Sequence, residues 1–324
     1  MPVKTNNNNN LQGVISDKMN DAFNRHMTRR GFSDRTKESY QQAVNVFTNW
    51  LDGRKYAVVT QAEIAAYQEY LATQYQTTSG KTLSPVTTSR MLSILRVFYD
   101  FLKTERIVSG NPARQVALPK IPKRIRKNLL ATREVKKMLA VSDANKIKLD
   151  AIQEPSALRD RALVYFLAAT GIRATACANI RITDIDLDRR EAIVKRGKGL
   201  KSRLVFFTTG CAKMLNEYLQ KARPYLICDE SDRLFLSDSG QPLDRYGVNH
   251  IVKRVADQAG IKKNIHPHLF RHWLCTTLLE QGVNVRIVSE IAGHSRLSTT
   301  SKYTHVSIEL MRQTINSFHP KCNG

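Results

Sequence analysis

Apolar residues recur every three or four positions in the early part of the chain, which is the spacing of one face of an α-helix. One such face is formed by Ala43, Val44, Phe47, Trp50 and Leu51. The pattern predicts an all-helical domain over residues 17–117. Residues 1–16 contain the run Asn6 to Asn10 and are predicted to be a disordered, low-complexity tail.

Short polar motifs predict where helices of this first domain begin and end. The sequence TQAE, from Thr60 to Glu63, is typical of a capping box that opens a helix. Ser84 followed by Pro85 combines a preferred N-cap residue with proline in the first turn. The sequence VSGNP over residues 108–112 interrupts the helical period.

A basic, proline-containing segment over residues 118–130 separates the first domain from the rest of the chain. It reads LPKIPKRIRKNLL, with two prolines, five basic residues and no acidic residue, which favours an extended linker over a helix. A solvated loop is one interpretation, and a strap along a phosphate backbone is the other, which the concentration of charge favours. The predicted phosphate-binding residues of the linker are Lys120, Lys123, Arg124, Arg126 and Lys127.

Residues 131–324 are predicted to form a second domain of mixed structure. Segments 132–140 and 157–180 have helical patterns, and the second is apolar enough to be core. Short apolar runs then follow, separated by charged or glycine-rich turns, which predicts a small antiparallel sheet. These runs are Ile185 to Leu187, Ala192 to Val194 and Leu204 to Phe207. The pattern from Cys211 onward is helical again, so the fold class is mainly α with a small antiparallel β-sheet.

The charge of the chain points to a polyanionic partner. Lys and Arg number 51 against 28 Asp and Glu, a formal net charge of +23. Such an excess repels itself in the compact state unless it is neutralised, so DNA or RNA is the leading partner. Generic solubility or a membrane-surface role is less favoured, because the basic residues recur along the whole chain.

Cysteine usage and the first residues indicate an intracellular protein. The five cysteines are scattered and lack C-x-x-C spacing, which indicates reduced thiols and argues against a disulfide framework. The first residues have no apolar core of signal-peptide length, and no later run approaches a membrane span. We expect a bacterial type of protein that acts in the cytoplasm, at the nucleoid, without a membrane.

The sequence HPHLFRH, from His266 to His272, predicts a phosphate-binding site. His268 and Arg271 are three residues apart and share one face of a helix that Pro267 would open. Helix N-termini favour anions, and the arginine fork matches phosphate oxygens. A zinc site is disfavoured, because the histidine spacings match no paired-ligand motif and no Cys or acidic cluster completes four ligands.

Four motifs in a fixed order give the sequence a family resemblance. ATGIR, RGKGLKSR, HPHLFRH and AGHSRLSTTSKYTH follow one another along the chain. The set resembles the tyrosine site-specific recombinases, or phage-integrase family, whose pattern is Arg, a β-hairpin Lys, His-x-x-Arg, Gly-His and a nucleophilic Tyr. The matching residues are Arg173, Lys198, His268, Arg271, His294 and Tyr303.

The resemblance implies a helical core-binding (SAM-like) domain and an α+β catalytic domain that together form a C-shaped clamp on DNA. It implies that Tyr303 attacks phosphorus to form a 3′-phosphotyrosyl link, while the two arginines bind the non-bridging oxygens. The two histidines would bond the phosphate or help to deprotonate the tyrosine, and Lys198 would protonate the leaving 5′-oxygen. No metal or cofactor is required. The competitors for the role of Lys198 are Lys195, Arg196, Lys201 and Arg203, of which Lys201 and Arg203 are also predicted to contact DNA.

The family also implies an assembly. Its members act as a dimer on each DNA site and a homo-tetramer on two sites, linked by a C-terminal helix that docks into a neighbouring protomer. The short N-terminal tail favours a compact Xer-like or mobile-element recombinase. Its role would be integration, excision, transposition or resolution. A second recombinase or an accessory protein is a further candidate partner. The rival interpretations are a type IB topoisomerase and a DNA-binding regulator on a decayed fold, the latter supported by Ala176 where the family usually has an acidic residue.

Overall fold

The computed structural model describes residues 8–78, 80–121, 129–144, 155–195, 202–227, 230–293 and 308–318. The chain divides into two compact units, an N-terminal unit over Met1–Ile125 and a C-terminal unit over Arg126–Gly324. No helix in these described ranges is both long enough and apolar enough to cross a membrane.

The N-terminal unit is helical, as the sequence predicts. Its helices are α1 (Asn8–Arg29), α2 (Asp34–Leu51), α3 (Gln61–Thr73), α4 (Pro85–Thr104) and the single turn α5 (Pro112–Gln115). The predicted capping box is present, with reciprocal bonds between Thr60 and Glu63 at the start of α3. The Ser84 hydroxyl accepts the Thr87 N–H at the start of α4, with Pro85 in the first turn. Both helix starts are therefore confirmed.

The start of α1 differs from the sequence prediction. The helix begins at Asn8, so the structure places residues 8–16, predicted as disordered tail, in a helix. In the sequence Leu11, Val14 and Ile15 lie at helical spacing, and the asparagine run, which has low helix propensity, obscures this period.

Aromatic side chains fill the core of the N-terminal unit. Phe47 of α2 packs edge-on against Tyr67 of α3, with ring centroids 4.9 Å apart. Phe23 of α1 meets Phe98 of α4 in the same way at 5.1 Å. Of the predicted apolar face of α2, Trp50 alone is only half-buried. The amphipathic pattern therefore identified the face that holds the helices together.

The C-terminal unit contains nine helices and three strands in its described part. The helices are α6 (Thr132–Ala144), α7 (Pro155–Thr170), α8 (Ala174–Asn179), α9 (Thr209–Lys221), α10 (Arg223–Leu226), α11 (Arg245–Gln258), α12 (Pro267–Glu280), α13 (Val285–Ala292) and α14 (Ile308–Phe318). The strands β1 (Ile185–Asp186), β2 (Glu191–Val194) and β3 (Arg203–Phe206) form an antiparallel sheet in the order β1-β2-β3. Ile193 pairs with Leu204 in the β2–β3 hairpin. The predicted small sheet is confirmed.

Helix α7 is the centre of the C-terminal unit, because every residue from Leu158 to Thr170 is buried. The helical pattern predicted over residues 157–180 is broken at Gly171, which has φ +57°. A Cβ atom there would lie 3.3 Å from the Arg271 Cα, so the turn needs glycine for its conformation and for close packing on α12. The break sends the chain from α7 into α8 past Arg173.

Candidate active site

Arg271 holds three segments of the C-terminal unit together. It lies in the second turn of α12, and only 3% of its surface is exposed. Its Nη1 donates to the Gly171 carbonyl at 3.2 Å, and its Nη2 donates to the Ala292 carbonyl. The ends of α7 and α13 are thus both bound to the same guanidinium.

Arg173 follows two residues after Gly171 and occupies the N-cap position of α8, where its side chain is exposed. Because Arg271 binds the Gly171 carbonyl, the turn that carries Arg173 is attached to α12. The structure therefore brings together the chain segments of the two arginines that the sequence predicts as phosphate ligands, although they are almost a hundred residues apart in sequence.

His268 is exposed in the first turn of α12, as the Pro267 signal predicts. Its ring stacks on that of His266 with centroids 6.3 Å apart and 9° between the planes. Burial lowers the pKa of His266 from its ordinary value and so disfavours a positive charge on this neighbour of His268. His272 lies one turn further on, with Nδ1 at 3.2 Å from the Thr276 hydroxyl, which supports packing rather than phosphate binding.

Helix α13 ends at Ala292, two residues before His294. Gly293 has φ +62°, and its N–H donates to the Glu290 carbonyl at 2.9 Å. This left-handed glycine stops the helix, and two arginines bind the last carbonyls: Arg271 at Ala292 and Arg203 at Ile291. The sequence alone did not predict the Arg203 contact.

Several predicted site residues lie outside the described residues, so their assignments stay predictions. They are Lys198, His294 and Tyr303 of the catalytic set, and Lys123, Arg124, Arg126, Lys127 and Lys201 of the DNA-binding set. Lys120 is described and is exposed, so its ammonium group is open to solvent.

Two of the four residues that compete with Lys198 for the role of proton donor lie in or next to the β2–β3 hairpin, in its described part. Lys195 Nζ lies 2.5 Å from a carboxylate oxygen of Asp184, whose side chain is only 4% exposed. Arg203 Nη1 donates to the Ile291 carbonyl at 2.8 Å. Two competitors for the role of Lys198 thus make contacts within the protein. Lys198 itself, Arg196 and Lys201 lie outside the described residues, so the choice of proton donor stays a prediction.

Ala176 lies on α8, three residues after Arg173, and packs half-buried against the core of the unit. A carboxylate at this position could bond to a neighbouring arginine and orient it, and the alanine supplies no such bond. The part of the chain that the structure describes contains no group of three His, Cys, Asp or Glu side chains placed to hold a metal ion.

This geometry suits the binding of a phosphodiester. A buried arginine fixed by main-chain carbonyls, an exposed arginine on the adjoining turn and an exposed histidine at a helix start provide cationic and N–H donors. The sequence assigns the role of the nucleophile to Tyr303, which lies outside the described residues.

Comparison with known proteins covers both units. The Phage integrase family model matches residues 128–309, and the Phage integrase, N-terminal SAM-like domain model matches residues 19–107. Tyrosine recombinase XerC of Bacillus subtilis (strain 168) is 36% identical over 298 residues, which cover 90% of this chain and 92% of the relative. Tyrosine recombinase XerD of Lacticaseibacillus casei is 33% identical over 313 residues, covering 96% and 100%.

The fold has counterparts among solved structures. A lambda integrase tetramer bound to a Holliday junction superposes with a TM-score of 0.62 at 16% identity. The superposition covers 90% of this chain and 80% of that chain, so the similarity extends through both units.

Proposed function

The chain belongs to the phage integrase family and is an Xer-like tyrosine recombinase, and on that premise we propose that it breaks and rejoins DNA through a 3′-phosphotyrosyl link to Tyr303. The observation that carries this proposal is the position of Arg271, which ties the turn before Arg173 to the helix end before His294. The one side chain thereby connects three of the segments on which the proposed catalytic residues lie.

The proposed residues divide the chemistry among them. Tyr303 gives its phenolic proton to His268 or His294 as its Oη attacks phosphorus, the bond to the 5′-oxygen breaks, and Lys198 gives that oxygen a proton. Arg173 and Arg271 stabilise the charge on the two non-bridging oxygens, and His268 and His294 donate further hydrogen bonds. The phosphotyrosyl ester conserves the energy of the broken bond, so a 5′-hydroxyl from another strand can reverse the step without ATP or a metal.

Pairing of two DNA sites distinguishes recombination from relaxation of supercoils. The Tyr303→Phe chain, which keeps the proposed phosphate ligands, can select its binding site from a pool of random-sequence duplexes. The native chain is then given supercoiled plasmids with two copies of that site or with none. We expect deletion or inversion between the two sites and no relaxation of the plasmid without sites. Equal relaxation of both plasmids would instead support a type IB topoisomerase.

We propose that two DNA sites are brought together by a homo-tetramer, with a dimer on each site. The similar fold of lambda integrase has been solved as a tetramer on a Holliday junction. In the single chain α14 packs on its own unit: Ile315 is fully buried, Arg312 binds Glu191 at 2.9 Å, and the Arg312 guanidinium lies 5.6 Å from the centre of the Phe206 ring. The proposed exchange would move this apolar face onto a neighbouring protomer.

Removal of the residues after Val306 should separate binding from recombination. We expect the truncated chain to bind the selected site with unchanged affinity, since α14 carries none of the proposed phosphate ligands, and to lose recombination between two sites. Gel shifts and the two-site plasmid measure the two properties. Gln313→Ala, at an exposed polar position of α14, is the control and should keep both. Normal recombination by the truncated chain would exclude the protomer exchange.

A further inference from the structure

Two arginines from different elements bind consecutive carbonyl groups at the end of α13. Arg271 of α12 donates to the Ala292 carbonyl, and Arg203 of β3 donates to the Ile291 carbonyl through Nη1 at 2.8 Å. The last carbonyls of a helix lack partners within the helix, and cationic donors there make strong, directional bonds. The end of α13 is therefore fixed from two sides.

Gly293 brings the backbone directly against Arg203. A Cβ atom built on Gly293 would lie 2.8 Å from both Cδ and Cζ of Arg203, closer than side chains approach one another. The φ of +62° independently favours glycine. The arginine stem thus lies on the Cα of Gly293, the residue that precedes His294 in the chain.

Arg203 also belongs to the hairpin that is predicted to supply the proton donor. It is the first residue of β3 and pairs with Val194, the last residue of β2. The chain between these two residues contains Lys198. One side chain therefore joins the end of the Lys198 hairpin to the helix end that precedes His294.

We propose that Arg203 is a positioning residue for strand cleavage, which holds the end of α13, as far as Gly293, in place against the β2–β3 hairpin. The proposal rests on the proposed function and adds a residue to it. Displacement of a reacting group by about 1 Å can cost about a hundredfold in rate. Loss of the Arg203 bond should therefore slow cleavage without weakening the binding of DNA.

A direct contact from Arg203 to a DNA phosphate is the competing role, and it has a different signature. Removing one phosphate contact lowers affinity and reduces the slope of log Kd against log salt by about 0.9. A lysine would largely replace arginine in that role, because it keeps the charge. The hydrogen bond from Arg203 to the Ile291 carbonyl depends on the length of the arginine side chain and on the planar geometry of its guanidinium. Lysine should therefore not restore the rate of cleavage.

The first test compares Arg203→Gln and Arg203→Lys with the native chain on the selected duplex, nicked in its centre so that the cleaved strand is released. We expect both variants to form the covalent adduct about tenfold to a hundredfold more slowly in single turnover, with unchanged Kd and salt slope. The Tm should fall because a donor to a helix-end carbonyl is lost, so rates are compared well below the Tm of each variant. Arg190→Gln is the matched control, since Arg190 precedes β2 and donates to the Thr209 hydroxyl at 2.6 Å, away from α13. It should cleave at the native rate.

A double-mutant cycle identifies the contact through which Arg203 acts. Gly293→Ala places a methyl group against the Arg203 stem and should also slow cleavage. If both changes disturb the same helix end, the double variant should be no slower than the slower single variant, within about twofold. If the two effects are independent, the double variant should be slowed by the product of the two single factors.

The outcomes separate this proposal from the proposed function. If the native chain forms no covalent adduct, the proposed function itself is wrong. Native cleavage together with undiminished cleavage by Arg203→Gln would overturn the positioning role alone. A weaker Kd and a reduced salt slope in Arg203→Gln, both restored in Arg203→Lys, would assign Arg203 to DNA binding instead. Effects that multiply in the double-mutant cycle would place the action of Arg203 away from α13.

Discussion

Replacement of Arg271 by glutamine is expected to remove strand cleavage and to destabilise the C-terminal unit at the same time. The side chain is only 3% exposed, and it supplies donors to the Gly171 and Ala292 carbonyls. A buried polar group left without its partner costs about 1–3 kcal/mol. Loss of a donor to the transition state slows a reaction by about a hundredfold to a thousandfold. Calorimetry and single-turnover cleavage measure the two losses.

Two other arginines separate the catalytic loss from the structural loss. Arg173→Gln, at an exposed position, should lose cleavage while its Tm stays native. Arg223 is also buried and also donates to main-chain carbonyls, those of Ser231 and Arg233 at 2.6 and 2.8 Å, but it has no place in the proposed site. Arg223→Gln should therefore lower the Tm while the folded protein cleaves normally. Native cleavage by Arg271→Gln or Arg173→Gln would contradict the proposed phosphate ligands.

Replacement of Lys198 by alanine is expected to slow cleavage by about a hundredfold or more, because general acid catalysis contributes on that scale. The defect should depend on the leaving group. A substrate with sulfur in place of the bridging 5′-oxygen releases a thiolate, which needs no proton. On that substrate Lys198→Ala should cleave at nearly the native rate.

Lys195 is the matched control for this experiment. Its ammonium group is held by the buried Asp184 carboxylate at 2.5 Å, so it has a structural partner within the unit. Lys195→Ala should show no sulfur-dependent rescue. A defect in Lys195→Ala that sulfur corrects, with none in Lys198→Ala, would transfer the role of proton donor to Lys195.

The sequence predicted best those features that depend on neighbours along the chain. The capping box at Thr60 and the Ser84–Pro85 start are contacts over three residues, so the local pattern contains them completely. The short strands were recognisable because their apolar runs are separated by charged turns. The start of α1 was missed because the asparagine run is a poor indicator of helix, while the apolar spacing beyond it is weak.

The same difference between local and long-range contacts holds for the candidate active site. The order of motifs predicted Arg173, His268 and Arg271, but not the bonds that place them. Arg271 and Gly171 are 100 residues apart, and Arg203 and Ile291 are 88 apart, so tertiary packing alone creates these contacts. The sequence did contain a signal, since Gly171 and Gly293 each lie within a motif, and the structure shows that both have positive φ beside an arginine.

The identity of the covalent link tests the central claim most directly. The native chain is incubated with the selected, nicked duplex, the adduct is digested with protease, and the DNA-bound peptide is sequenced by mass spectrometry. We predict a peptide linked through Tyr303 to a 3′-phosphate, a free 5′-hydroxyl on the released strand, and no adduct from Tyr303→Phe although that variant binds the duplex. A link through another residue, a link to a 5′-phosphate, or an undiminished adduct from Tyr303→Phe would contradict the account.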